Sequence, residues 1–207
     1  MAVWTISAQA GTAGLEIATE LARQADVPLF DRKGLLLVAQ RLEPLTSLDD
    51  PDDLEARFGG RLNALFLSAA LTTGAADAFR EFQLRRTLPE LGRTVLCDVA
   101  RSPAVIVAPA AFAPLRDHPS ALHVRLRAPF DWRVDAYRLR ELVDRRTAEK
   151  AVRHDDEHKR DWARALYHVD VDDPELFSVV VDVSRFSRVR IVETLLAAAA
   201  ATSLAYV

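Results

Sequence analysis

Between Ser7 and Gly14 the segment SAQAGTAG joins an apolar run, VWTIS, to an amphipathic one, LEIATELARQA. A glycine-containing loop between a first strand and a helix is where α/β proteins hold phosphate, because successive backbone N–H groups and the helix N-terminus concentrate positive potential there. Gly11 and Gly14 fit that use, and fit equally well a tight turn and close helix packing. A loop of the form GxxxxGK[ST] places a lysine beside the β- and γ-phosphates, and this loop contains no basic residue. A second group, Arg153, Glu157 and Arg160, recurs at i, i+4 and i+7, so one helix face presents guanidinium forks around a carboxylate. Such forks stabilise charge on a transferring phosphoryl group; an exposed helix laced with ion pairs has the same spacing.

Other chemistry-bearing residues are less pointed. His154 and His158 stand at i and i+4, as on a zinc-binding helix, but DDE separates them and no Glu follows the first histidine. A solvated face is expected there, and no metal ligands are assigned. Asp31 ends a strand-like segment, where a carboxylate either meets a substrate base or ribose or serves as a turn residue. Cys97 has no neighbouring base in the sequence and is expected in the core. Trp4, Trp132 and Trp162 are scattered, which suits core or helix packing better than a stacking platform.

The elements that must hold these groups alternate as in a parallel α/β protein. VWTIS reads as a strand, and LEIATELARQA as a helix with Leu15, Ala18, Leu21, Ala22 and Ala25 on its apolar face. VPLFDR reads as a short second strand that closes a right-handed βαβ unit. Residues 43 to 60 are acidic and carry Pro44, Pro51, Gly59 and Gly60, which marks a solvated connection, and the spacing from Arg61 to Arg101 is largely helical. AVIVA, LHVRLRA and FSVVVDV supply further strands; two helices, DWRVDAYRLRELVDRR and AEKAVRHDDEHKRDWARALYH, follow Pro129.

Composition narrows the class. The 207 residues, 50% hydrophobic and 28% charged, suit one domain over residues 1 to 207 with a substantial core. A net charge of −3 leaves no basic excess for nonspecific nucleic-acid binding. The start MAVWTIS has no positive region ahead of an apolar stretch, and Cys97 is the only cysteine, so a cytoplasmic protein without disulfides is expected. From Ile191 onward the chain is apolar, but Glu193, Thr194, Thr202 and Ser203 interrupt it short of the roughly 20 residues of a bilayer span. A docked terminal helix is expected, with no membrane partner.

Taken in order, ISAQAGTAGLEIATELARQADVPLFDR, ALHVRLRAPFDWRV and the stretch from AEKAVRHDDEHKRDWARALYH to VVVDVSRFS resemble the cytidylate kinase-like family over nearly the whole chain. The resemblance implies a three-layer P-loop kinase-like α/β fold with a five-stranded parallel sheet. It also implies a helical monophosphate-binding insertion at residues 35 to 95, and an arginine-bearing lid helix within residues 145 to 168. It implies ATP and Mg²⁺, with γ-phosphoryl transfer to CMP or dCMP. Carried onto this chain, Gly11, Thr12, Ala13 and Gly14 would wrap the donor phosphates and Arg153 and Arg160 would reach the transferring group. Glu157, Arg133 and Asp31 would lie on the substrate side. The chain departs from the family by having Leu15 where relatives carry Lys or Arg, and Ala108, Pro109 and Ala110 where they carry a Gly-Arg pair. With both positions uncharged, phosphoryl transfer is expected to be impaired unless Arg32, Lys33, Arg101 or Arg116 fills the vacated places. An active kinase for a nucleotide or small-molecule ligand therefore stands beside a noncatalytic relative that binds nucleotide or a protein partner. A homodimer, and docking through ALFLSAALTTGAADAF, are the further expectations.

Overall fold

A computed structural model describes residues 2–42 and 92–204. Most of the expected insertion at residues 35 to 95, with the segment ALFLSAALTTGAADAF, lies outside the described residues.

The described chain runs β1 (Val3–Ala8), α1 (Gly14–Ala25), β2 (Leu29–Phe30) and α2 (Arg32–Leu42). A helical stretch, α3 (92–99), follows. Then come β3 (Ala104–Val107), β4 (Ala121–Arg127), α4 (Phe130–Glu141), α5 (Arg145–Tyr167), β5 (Val179–Asp182) and α6 (Arg188–Leu204). The strands form one five-stranded sheet in the order β2-β3-β1-β4-β5. Every pairing is parallel, with Val3 opposite both Ala104 and Ala121. The sheet is α/β and fully parallel, as expected, but β3 stands between β1 and β2, so the first βαβ crossover skips one strand position.

Helices on both faces explain why these strands are apolar on both sides. On one face Ile6, Val124, Leu126 and Val105 pack with Ile17, Ala18 and Leu21 of α1 and with Ile191, Val192 and Leu195 of α6. On the other, Val3, Ile106 and Ala104 pack with Leu35 and Val38 of α2, with Val95, Leu96 and Val99 of α3, and with Trp162, Ala163 and Leu166 of α5. Burying each such Leu or Ile stabilises the fold by about 1.5–3 kcal/mol relative to its exposed state. The closing helix docks as expected.

Several expectations about faces are corrected. The buried stripe of α1 is Ile17, Ala18, Leu21 and Ala22, and Leu15 is 46% exposed. Cys97 is exposed, because α3 turns Val95, Leu96 and Val99 inward and Cys97 falls on the opposite side. Trp4 and Trp162 are buried, but Trp132 is 39% exposed. His123 and Arg125, which alternate with Leu122, Val124 and Leu126 along β4, are nonetheless buried at 7% and 6% exposure. They are satisfied there: Thr5 Oγ1 lies 2.8 Å from His123 Nδ1, and Arg125 donates to Ser7 Oγ and to Asp172.

Candidate functional site

The loop between β1 and α1 is shaped by positions that resist ordinary side chains. Gly11 has φ +83°, and a Cβ there would collide with the Arg133 carbonyl, so glycine serves both the left-handed backbone and the approach of α4. Ala13 is left-handed as well, at φ 54°, and caps α1 by accepting from the Ile17 N–H. Thr12 is buried and turns inward, donating through Oγ1 to the Gln9 carbonyl at 2.7 Å. Among the described residues the Gly11 and Ala13 amides have no acceptor, which leaves donors pointing out of the loop at the positive end of α1.

Helices α4 and α5 grip this loop from above. Arg133 is buried and donates to the Ala128 carbonyl at 3.0 Å, the Ala10 carbonyl at 3.1 Å and Asp156 Oδ2 at 2.5 Å. Asp156 in turn accepts from the Ala10 amide at 3.0 Å, so this loop N–H is already held by a protein carboxylate. Three residues along α5, Lys159 donates from Nζ to the Ala8 carbonyl at 3.0 Å and pairs with Asp155 at 2.6 Å. A small cluster of Ala10, Val134, Ala148 and Val152 seals the joint between loop and helices.

Two cavities open around this joint. The larger, about 750 Å³, is walled by the whole loop from Gln9 to Gly14, by Ala108 and Pro109 after β3, and by Tyr137, Arg140, His154, Asp155 and Lys159. The smaller, about 170 Å³, is walled by Arg125, Arg133, Arg153 and Arg160 together with Asp156, Glu157 and Asp172. Gln9 and Lys159 line both. The arginines are pre-positioned. Arg153 lies 4.2 Å from the centroid of the Phe130 ring, Arg125 is fixed by Asp172 at 2.6 Å, and Arg160 stands 3.7 Å from the same carboxylate. Burial pulls the Arg125 pKa down and Asp172 opposes that pull, and a guanidinium stays charged at any working pH.

A family model described as the cytidylate kinase-like family matches residues 3–185. The chain belongs to the cytidylate kinase-like family. No curated protein matches it. Among solved structures, an uncharacterized protein from Eubacterium ventriosum is similar at TM-score 0.68 with 15% identity, over 97% of this chain and 98% of the other. A gluconokinase from Sinorhizobium meliloti is similar at TM-score 0.53 with 14% identity, over 99% of this chain and 95% of the other. These likenesses show the fold, which is that of P-loop kinases.

Within this cytidylate kinase-like chain the sequence-derived candidates separate into groups. Gly11, Thr12, Ala13 and Gly14 line the larger cavity, and Arg153, Glu157 and Arg160 meet at the smaller one. Arg133 reaches that cavity too, with its guanidinium engaged in scaffolding the loop. Asp31 stands apart from both: its carboxylate accepts from the Gly34 amide at 3.0 Å and opens α2 as a cap. His154 and His158 face each other with ring centroids 5.9 Å apart, and no cluster of three metal-ligating residues exists among the described residues. The basic residues expected to compensate for the loop, Arg32, Lys33, Arg101 and Arg116, line neither cavity. Lys159, Arg125 and Arg140 do line them, and only Arg125 and Lys159 carry a signal in the sequence: a charge amid a buried strand, and a cation one position from the arginine face of α5.

Proposed function

We propose that the protein is a kinase that transfers the γ-phosphoryl group of ATP to a pyrimidine nucleoside monophosphate, CMP or dCMP, in the cytoplasm. The observation that supports it most is the pair of neighbouring cavities, one built on the loop and the other on arginines, with Gln9 and Lys159 in the walls of both. The choice of acceptor rests on the family.

The chemistry asks for position and charge rather than for a base. An ionised oxygen of the acceptor monophosphate attacks the γ-phosphorus as the bond to the β–γ bridging oxygen breaks; the bond's electrons leave with ADP, and a nucleoside diphosphate forms. Gly11 and Ala13 amides hold donor oxygens at the N-terminus of α1. Arg153 and Arg160 meet the charge that spreads over the transferring group, and Phe130 and Asp172 hold them in place beforehand. The donor set suits a metal that arrives on phosphates: the hard cation Mg²⁺ keeps waters and needs only one or two carboxylates, and Asp155, paired with Lys159 on the cavity wall, would supply one once Lys159 turns to the phosphates. Mg²⁺ bound there would supply neutralisation of the donor oxygens.

Two observations favour a second reading, a relative that binds nucleotide without transferring phosphate. The Ala10 amide is taken by Asp156, and Leu15 supplies no charge where relatives of the family carry a cation. A coupled assay of ADP release from ATP and Mg²⁺, with CMP, dCMP and UMP in turn, decides between them. Monophosphate-dependent turnover that drops by about 10³-fold in Arg160→Ala supports the kinase. Binding without turnover, from folded protein at high concentration, supports the second reading.

A further inference from the structure

We propose that Lys159, delivered by α5 from across the fold, supplies the phosphate-binding cation that the β1–α1 loop itself lacks. In the order of the chain Lys159 is 151 residues from Ala8, yet its ammonium donates to the Ala8 carbonyl at 3.0 Å, at the very entry to the loop. Its side chain lies on the wall of both cavities, so it stands between the loop amides and the arginine cluster. The Lys159 side chain is 23% exposed, and its ammonium's partners are a neutral carbonyl and Asp155, whose side chain is 47% exposed.

Neither partner holds the lysine strongly. A carbonyl accepts without offsetting the charge, and an i,i+4 ion pair on a half-exposed helix face contributes little. An arriving polyphosphate offers several ionised oxygens within reach of the same flexible stem, and charge-assisted bonds of that kind are about twice as strong as neutral ones. Arg133 and Arg125, by contrast, are tied by buried bonds to Asp156, Asp172 and the backbone. Arg140 lines only the larger cavity, where it stacks on Tyr137 and pairs with Glu141 and, at 4.0 Å, with Glu16. Among the described residues Lys159 is the one cation that lines both cavities, and its weak partners leave it able to move onto a ligand. This assignment rests on the kinase reading only for the identity of the ligand as a nucleoside triphosphate.

The test is calorimetric binding of inorganic tripolyphosphate and of ATP with Mg²⁺, at fixed ionic strength, to the full chain. Wild type is compared with Lys159→Met, which keeps the apolar stem, and with Lys159→Met/Leu15→Lys, which returns a cation on the first turn of α1 at the cavity wall. Lys150→Met on an exposed part of α5 serves as control. Expected is a loss of about 10- to 100-fold in affinity for both ligands in Lys159→Met, no change in the control, and recovery of most of the loss in the double variant. Unchanged affinity in Lys159→Met overturns the proposal. So does a loss of affinity that tracks a lowered melting temperature and is not recovered by Leu15→Lys, since Lys159 would then only tie α5 to β1. Lysine-dependent binding without turnover upholds the proposal and contradicts the kinase; turnover insensitive to Lys159 does the reverse; wild-type protein that binds neither ligand contradicts both.

Discussion

Arg133 illustrates how much a single side chain does in this site and how little of it the sequence reveals. The motif APFDWRV marks it as a residue after the fourth strand, but the bonds it makes join positions 123 residues apart, from Arg133 to the Ala10 carbonyl. With Asp156 it forms a buried pair, at 7% and 16% side-chain exposure, that fixes the first turn of the loop. Breaking such a pair leaves an uncompensated charge, so Arg133→Met is expected to lower stability by about 3–5 kcal/mol, measured by urea unfolding. Arg133→Met/Asp156→Leu is expected to recover most of that, because both charges then leave together. Gly11→Ala should also destabilise, by about 1–3 kcal/mol, since its left-handed backbone and the Arg133 carbonyl both oppose a Cβ. Lys159 shows the limit of spacing arguments. Periodicity places it on a helix, while the partner that gives it meaning comes from the other end of the chain.

At the scale of elements, periodicity serves well where an apolar stripe meets one partner and less well where an element is covered twice. The strands were legible because β-branched runs such as AVIV and VVVD have few alternatives, and α5 was legible as a continuous helix. The apolar face of α1 was placed one step off. Leu15 sits in its first turn, where the helix faces the cavity instead of the sheet. On β4, polar residues stand at every second position, yet helices cover both sides of the sheet and His123 is buried against Thr5. Burial holds the His123 pKa below its ordinary 6.5. The folded state therefore resists a proton that the unfolded chain accepts. Stability from this group is fully present above pH 6.5 and is lost as the pH falls through that value, by up to about 1.4 kcal/mol per pH unit until the folded-state pKa is reached. His123→Asn should flatten the melting temperature between pH 7 and 5 relative to wild type; an unchanged slope would assign the acid sensitivity elsewhere. On the opposite face, Leu195 of α6 is fully buried against the sheet, and Leu195→Ala is expected to cost about 2–5 kcal/mol in thermal or urea unfolding.

For the whole molecule, the family and the parallel α/β architecture were readable from motifs in register, and the strand order was not, because nothing local records that β3 inserts between β1 and β2. That insertion matters to function. It sets the Ala108–Pro109 turn against the loop, so the larger cavity is bounded by the ends of neighbouring parallel strands, where open α/β sheets bind their ligands. The smaller cavity exists only because α5 runs back over the same edge with Arg153, Glu157, Lys159 and Arg160 along one side. No helix among the described residues is long and apolar enough to cross a membrane. The proposed reaction passes a phosphoryl group from ATP to a pyrimidine monophosphate across these two cavities. Phosphorus NMR of the full-length protein with ATP, Mg²⁺ and CMP tests it directly. The expected spectrum shows the α- and β-phosphorus signals of CDP growing as CMP and ATP decline together; no change, or release of inorganic phosphate alone, would contradict it.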